Sequence, residues 1–176
     1  MLKQLIQGRT LCVDTWTYFK PSGDDYATIT VPPVTESGSV VVPAEFWLIR
    51  RDELLSRKAQ GEAITVSLAP TLELERILDD LPHFEMIAVE FPKFTDGRGY
   101  STARLLRERF GYKGELRAIG DVGRDQLFLL HRVGFDAYLL PENRDAAAAL
   151  ASFNDFPDAY QTGTDQPLPL FRRRAA

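Results

Sequence analysis

Short apolar runs alternate with stretches of helical periodicity along most of the chain. Five of the runs predict strands, at residues 40–42, 64–69, 86–91, 116–120 and 137–140. The stretches that follow them predict helices, at residues 44–60, 71–81, 101–110, 122–133 and 145–153. Such alternation is typical of βα units around a parallel sheet. We therefore expect an α/β fold of about five βα units forming a mainly parallel sheet, either a partial (β/α)-barrel or an open doubly wound sheet.

The two ends of the chain depart from this rhythm. Residues 11–19 and 26–31 are rich in β-forming side chains and flank a Pro-Ser-Gly-Asp turn signal, which predicts an N-terminal β-annex over residues 1–39. Residues 157–176 contain three prolines and three consecutive arginines, which predicts a loose C-terminal tail. The core domain is accordingly expected over residues 40–156.

Composition narrows the class of protein. A chain of 176 residues suits one main domain, and 21 basic against 25 acidic residues argue against a dedicated nucleic-acid binder. The single cysteine, Cys12, excludes an intramolecular disulfide and a Cys-rich metal cage. No apolar run approaches the ~20 residues that span a bilayer, and the N-terminus lacks the apolar core of a secretory signal. We expect a cytoplasmic protein with neither a membrane nor a nucleic-acid partner.

Two charged residues fall inside predicted strands. Strands that are buried on both faces normally read as continuous apolar runs, so Glu90 and Arg117 each need a partner. A buried charge persists when it is paired, because removing one member of such a pair costs about 3–5 kcal/mol. We expect Glu90 and Arg117 to form a structural salt bridge between adjacent strands.

The loop after residue 91 has the residue types of an anion site. Its glycines permit the backbone to approach a ligand, Lys93 and Arg98 provide positive charge, and Ser101 opens a helix whose free N–H groups attract anions. The spacing matches neither the P-loop nor the dinucleotide fingerprint. A phosphate, sulfate or carboxylate would suit this loop. The alternative is that Asp96 begins a tight turn in which Arg98 holds a neighbouring carboxylate.

The loop after residue 120 follows the next strand and is expected on the same rim of the sheet. Arg124 would join the anion-binding residues there, and Asp121 and Asp96 are the candidate catalytic acid–base groups. Asp121 could instead cap the helix that follows it. Neither of the two histidines has a second one at ligand spacing, and no cofactor motif is evident, so we expect no catalytic metal.

The elements DGRGYS, LRERFGY, GELRAIGDV and RDQL occur together between residues 96 and 127. In this combination the chain resembles a bacterial family known as domain of unknown function 934, closely over residues 85–140 and more loosely from residue 40. Gly123 departs from the pattern, where a larger apolar residue is expected. The resemblance implies a role in sulfate assimilation, because family members are usually encoded beside sulfite reductase and the reductase that acts on activated sulfate. Some members are labelled oxidoreductases of sulfite reduction. Any redox cofactor would then belong to a partner.

Two functions are compatible with these observations. The first is a small-anion site, enzymatic or sensory, which requires Lys93, Asp96, Arg98, Asp121 and Arg124 to converge on one cavity. The alternative is a non-catalytic accessory or scaffold protein that docks on a sulfite-reductase component or another sulfate-assimilation enzyme. The residues leave open whether the protein is an enzyme. Unpaired edges of a partial barrel would also favour a homodimer.

Overall fold

The structure is a computed structural model that describes residues 4–21, 26–29 and 39–174. Within these residues one sheet holds eight strands: β1 (Gln4–Gln7), β2 (Thr10–Val13), β3 (Thr17–Tyr18), β4 (Ser39–Pro43), β5 (Ala63–Leu68), β6 (Met86–Phe91), β7 (Glu115–Gly120) and β8 (Ala137–Leu139). Their order in space is β2-β1-β8-β7-β6-β5-β4-β3. Strands β3 to β8 run parallel, whereas β1 pairs antiparallel with both β8 and β2. The sheet curls into a half-barrel.

This architecture confirms the predicted α/β class and corrects one detail. The sheet is mixed rather than mainly parallel, because the hairpin of β1 and β2 joins β8 in the antiparallel direction. The hairpin turns at Gly8 and Arg9, whose φ angles of 53° and 67° fit the left-handed positions of a two-residue turn. The parallel strands lie in the order in which they occur along the chain, which is the order of a barrel segment and not of a doubly wound sheet.

Helices connect most of the strands. The α-helices are α1 (Ala44–Ile49), α2 (Arg51–Ala59), α3 (Arg98–Arg104), α4 (Leu127–Arg132), α5 (Ala146–Leu150) and α6 (Leu170–Arg173). Tighter 3-10 segments occupy Leu74–His83, Arg124–Gln126 and Ala151–Asn154, and α3 continues as a π-helical turn over Leu105–Arg109. The predicted helix at residues 44–60 is divided at Arg50, and a 3-10 segment replaces the one predicted at residues 71–81. The regular five-unit repeat is therefore not confirmed.

The 3-10 crossover between β5 and β6 follows from its buried positions. Leu74, Ile77 and Asp80 are all buried and are spaced by three residues, so a helix with three residues per turn places them on one ridge. Pro82 has no N–H to donate to an α-helical turn. On this ridge Asp80 accepts a hydrogen bond of 2.9 Å from the indole Nε1 of Trp47, which fixes the segment against α1.

The two faces of the sheet differ in character. The helix-covered face carries the large apolar core, to which the parallel strands contribute Val40, Val42, Ile64, Val66, Leu68, Ile87, Val89, Phe91, Leu116 and Ala118. The side chains that alternate with these form the inner face, namely Val41, Thr65, Ser67, Met86, Ala88, Glu90, Arg117 and Ile119. A second, small apolar cluster lies on the inner face, where Trp16 and Tyr18 pack on three of these residues.

The N-terminal residues belong to the same sheet as the rest of the chain. The hairpin of β1 and β2 extends one edge beside β8, and β3 extends the opposite edge beside β4. The chain between β2 and β3 runs along the inner face, where Asp14 reaches Arg117 and Trp16 joins the small cluster. Residues 26–29 of the predicted strand 26–31 form turns, and its last two residues lie outside the described part of the chain.

The C-terminal tail packs on α4. The backbone N–H of Thr164 donates to the carbonyl of Arg132 at 2.8 Å, and Arg173 of α6 forms an ion pair of 2.9 Å with Asp158. In the part of the chain that the structure describes, no helix has both the length and the apolar character needed to cross a membrane.

Candidate functional site

A cavity of about 660 Å³ opens at the C-terminal ends of the parallel strands, on the inner face. We call it the rim cavity. The strands and the turns after them contribute Val41, Pro43, Glu45, Ser67, Ala69, Glu90, Phe91, Pro92, Ile119, Gly120, Asp121 and Leu139. The segment that begins with β3 contributes Tyr18, Phe19, Lys20 and Pro21, and Tyr26 completes the lining. The ends of parallel strands in half-barrels and barrels are the usual place for ligands.

A network of buried charges lies on the inner face beside the cavity. The guanidinium of Arg117 forms ion pairs of 2.7 Å with Asp14 and 2.7 Å with Glu115, and it donates a 3.2 Å hydrogen bond to the hydroxyl of Tyr18. The side chain of Asp14 is 0% exposed. Burial raises the pKa of the Tyr18 hydroxyl, so this group stays a neutral phenol that faces the cavity.

Glu90 is not the partner of Arg117. In the register of β6 and β7, Ala88 lies opposite Arg117 and Glu90 lies opposite Ile119, so Glu90 is two residues closer to the strand ends. The predicted pair of Glu90 and Arg117 does not form, because the guanidinium is already paired with Glu115 and with Asp14 from the segment along the inner face. Among the residues that the structure describes, Glu90 makes no hydrogen bond or ion pair. Its half-buried carboxylate faces the rim cavity.

Ser67 was not singled out by sequence, and it lies beside Glu90. The two residues are on the paired strands β5 and β6 and on the same face, with Ser67 opposite Ala88. Ser67 is 6% exposed and lines the cavity. Its hydroxyl has no hydrogen-bond partner within the described chain and is accessible from the cavity. A small polar residue inside a strand was the available signal, because it interrupts an otherwise apolar run.

Asp121 does line the cavity, as a residue of the rim that the sequence predicts. Its Oδ2 accepts a 3.0 Å hydrogen bond from the backbone N–H of Phe94, which ties the loop after β7 to the loop after β6. A second bond of 3.2 Å, from Gln126 Nε2 to the carbonyl of Phe94, joins the same loops. Asp121 does not cap the following 3-10 turn, whose N-terminal cap is Gly123.

Two of the loop cations predicted to bind an anion, Arg98 and Arg124, have other partners. Arg98 contacts Asp96 through two hydrogen bonds, of 3.0 Å from Nε and 2.7 Å from Nη2. These hydrogen bonds lower the pKa of Asp96, which makes it a poor proton donor at neutral pH. Arg124 lies 3.5 Å from Asp155 on the exposed surface. The tight-turn alternative for Asp96 and Arg98 thus describes the geometry of this loop.

The predicted anion-binding group does not assemble around the cavity. Ser101 does not open its helix, because α3 begins at Arg98 and places Ser101 within it. The cavity lining includes none of Lys93, Asp96, Arg98, Ser101 and Arg124. Of the candidate site residues, Glu90 and Asp121 do line it. The roles assigned to the others stay predictions without a common cavity to support them.

Two glycines of the sequence motifs, Gly99 and Gly120, pack closely against Phe91. A Cβ at Gly99 would lie 2.5 Å from the Cζ atom of the Phe91 ring, and a Cβ at Gly120 would lie 2.3 Å from the Phe91 carbonyl oxygen. Gly120 also has a φ of 101°, which side chains rarely adopt. These contacts explain Gly99 of DGRGYS and Gly120 of GELRAIGDV without a ligand. At Gly123 a Cβ would meet the flexible Asp125 side chain at 2.7 Å.

Negative charge predominates in the rim cavity. Glu45, Glu90 and Asp121 line it, against Lys20 as the cation among the described lining residues. In the described part of the molecule, no three His, Cys, Asp or Glu side chains group closely enough to hold a metal ion. The arrangement can therefore receive hydrogen-bond donors at several separate points, with an aromatic wall beside them.

Among known proteins, the chain matches one family model. Searches of curated proteins and of solved structures find no match. A family model described as "Bacterial protein of unknown function" matches residues 65–171, from β5 through most of the C-terminal tail. This span contains Ser67, Glu90, Asp121 and both glycines that pack on Phe91. The chain therefore belongs to the bacterial family DUF934.

Proposed function

We propose that the protein binds a small organic metabolite in the rim cavity and serves sulfate assimilation through that binding. The observation that carries the proposal is a cavity of about 660 Å³ at the strand ends, lined on neighbouring strands by Glu90 and Ser67, which have no partners in the described chain. Ligand cavities of proteins commonly measure about 300–1,000 Å³ and combine apolar walls with a few polar groups.

The lining provides both kinds of contact. The rings of Tyr18, Phe19 and Tyr26 offer apolar surface, and Glu90 and Ser67 offer an acceptor and a hydroxyl that both accepts and donates. If the bound molecule reacts, Glu90 is the group placed to accept or return a proton, since Asp121 is held by the N–H of Phe94.

The place in sulfate assimilation rests on family membership and on the genomic neighbours implied by the resemblance. A small sulfur-bearing metabolite would be consistent with the pathway and would fit the volume of the cavity. The anionic form of such a ligand, as first expected, finds Lys20 at the cavity but none of Lys93, Arg98 and Arg124. A cytoplasmic location is part of the same proposal.

A second candidate is the accessory protein that docks on a sulfite-reductase component. The outer edge of β2 favours it, because Leu11 and Val13 are 42% and 51% exposed on a strand with no neighbour on that side among the described residues. Such an edge can accept a strand from another chain, either a reductase component or a second copy in a homodimer.

Metabolite capture tests the binding proposal. The protein is mixed with the low-molecular-weight fraction of a bacterial extract, washed, and denatured, and the released compounds are identified by mass spectrometry. We expect compounds retained by the wild type to be lost in Ser67→Trp and Ala69→Phe, each of which fills the cavity. The matched control Ser56→Trp, at an exposed position of α2 outside the cavity, should retain them. Equal retention by folded cavity variants, or no retention by the wild type, would overturn the proposal.

Growth tests the pathway separately. A strain that lacks this protein should grow poorly with sulfate as its sulfur source and normally with cysteine, because cysteine bypasses sulfate reduction. Complementation with the wild type should restore growth on sulfate, and complementation with Ser67→Trp should not. Leu11→Lys should fail to complement if docking through β2 is the required function. Normal growth on sulfate without the protein contradicts both pathway roles.

A further inference from the structure

We infer that the ligand of the rim cavity is an organic cation. Its protonated amine or guanidinium contacts Glu90, and its apolar or aromatic body contacts the aromatic wall of Tyr18, Phe19 and Tyr26. The inference deepens the proposed function and rests on it, because it assigns the chemical class of the molecule that the cavity binds.

The charge of the lining is the first argument. Three carboxylates, of Glu45, Glu90 and Asp121, face one ammonium group, of Lys20, among the described lining residues. Lys20 is exposed, whereas Glu45 and Glu90 are half-buried, so the acids lie where the surrounding protein strengthens their field. A cleft lined by one sign of charge concentrates ligands of the opposite sign.

The network beside the cavity does not reverse this balance. Arg117 is the one buried cation of the inner face in the described chain, and it is shared by Asp14 and Glu115 at 2.7 Å each. Two carboxylates on one guanidinium leave a net negative charge. An anionic ligand would therefore enter a region where the available positive charge is already neutralised.

The missing partner of Glu90 is the second argument. Glu90 is half-buried and faces the open cavity, so its carboxylate can accept hydrogen bonds from a bound molecule. Within the described part of the chain Glu90 has no partner. Ser67, a residue that is 6% exposed and whose hydroxyl is also unpartnered within the described chain, lines the same cavity. The several N–H groups of an ammonium or guanidinium offer donors for both residues.

The aromatic wall is the third argument. Phe19 and Tyr26 are held at the cavity by edge-to-face contacts with the buried Phe46, at ring-centroid distances of 5.3 and 5.8 Å. Aromatic faces attract ammonium and guanidinium groups as well as apolar bodies. The separate positions of the carboxylates, which form no cluster able to hold a metal ion in the described residues, fit an extended organic cation better than a bare ion.

Three probes that share one body and differ in charge test the inference. Phenethylamine is cationic, phenethyl alcohol is neutral and phenylacetate is anionic, and each is titrated into the full chain by calorimetry and by NMR. We expect phenethylamine to bind about tenfold more tightly than the alcohol, because it adds a charge-assisted contact to Glu90. Phenylacetate should bind most weakly. Equal affinity of the three probes, or tighter binding of phenylacetate, would overturn the inference.

Matched variants locate the charge that matters. Glu90→Gln keeps the shape of the side chain and removes its charge, so the preference for phenethylamine over the alcohol should disappear. Glu142→Gln makes the same chemical change at an exposed position outside the cavity and should leave the preference intact. Circular dichroism establishes that both variants are folded. An unchanged preference in Glu90→Gln contradicts the role of this residue.

The outcomes separate the two proposals. If the three probes bind equally and shift the resonances of cavity residues, the cavity binds small molecules but not by charge, and the cation inference alone fails. If no probe binds, the charges of the compounds captured from the extract decide, because retained anions overturn the inference and retained cations support it. If no compound is captured and no probe binds, the proposed function fails as well.

Discussion

The two faces of the half-barrel sheet come from the same strands and differ in how completely their side chains are satisfied. On the helix-covered face Val42, Val66 and Val89 are buried against helices in one large apolar core. On the inner face the alternating positions hold Ser67 and Glu90, which have no partner in the described chain. The helix-covered face therefore supplies most of the buried apolar contacts, whereas the inner face holds polar groups that are available to a ligand.

The inner face is itself divided along the strands. Trp16 and Tyr18 cover its N-terminal half, together with the charge network of Arg117. The C-terminal half remains open as the rim cavity. We call the half under Trp16 and Tyr18 the covered row and the half in the rim cavity the open row. A residue of the covered row is expected to stabilise the fold, and a residue of the open row is expected to be available to a ligand. Substitutions should distinguish the two rows.

The largest effect is expected on the helix-covered face. Trp47→Ala should lower the free energy of unfolding by about 5 kcal/mol, because it empties a fully buried site and removes the donor to Asp80. Urea denaturation measures the loss. Ile49→Ala, in the same helix but 53% exposed, should cost far less. Similar losses in the two variants would mean that this face does not dominate stability.

A smaller effect is expected in the covered row of the inner face. Arg117→Met should cost about 3 kcal/mol, because the buried Asp14 would keep its charge without a cation. The double variant Asp14→Leu with Arg117→Met should recover much of this loss, since the fully buried carboxylate is then absent and the half-buried Glu115 keeps the side-chain amide of Gln7 as a donor. Urea denaturation of the two variants decides. Equal instability of the single and double variants would show that the network contributes through shape and not through charge.

The strands of the core could be predicted from sequence because burial on two faces produces continuous apolar runs. The predicted strand at residues 86–91 has the bounds of β6, and that at 64–69 differs from β5 by one residue at each end. The short strand β1 gave no such signal, and the β-rich stretch at residues 11–19 did not separate β2 from β3, since two to four residues carry no detectable period. Their pairing depends on long-range contacts that periodicity does not encode.

The candidate site was predictable in its place and less so in its members. Strand ends locate the rim, which is why Asp121 was identified, whereas Glu90 was singled out as a charge inside an apolar strand and was assigned to Arg117. An exposed loop arginine pairs with whichever carboxylate the local backbone brings close. Arg98 forms its ion pair with Asp96, two residues away. The partner of Arg117 comes from Asp14, more than one hundred residues earlier, so a pairing of neighbouring strands was a reasonable but incorrect inference.

The smallest effect is expected in the open row, at Glu90. Glu90→Gln should change the free energy of unfolding by less than about 0.5 kcal/mol, or raise it slightly, because the carboxylate has no partner within the described chain and faces a cavity of like charge. Urea denaturation beside Glu142→Gln provides the comparison. A loss near that of Arg117→Met would mean that Glu90 is satisfied within the folded chain, and its charge would then belong to the stability of the fold. A neutral result leaves a half-buried carboxylate that the fold does not need, which is the property expected of a residue kept for a ligand.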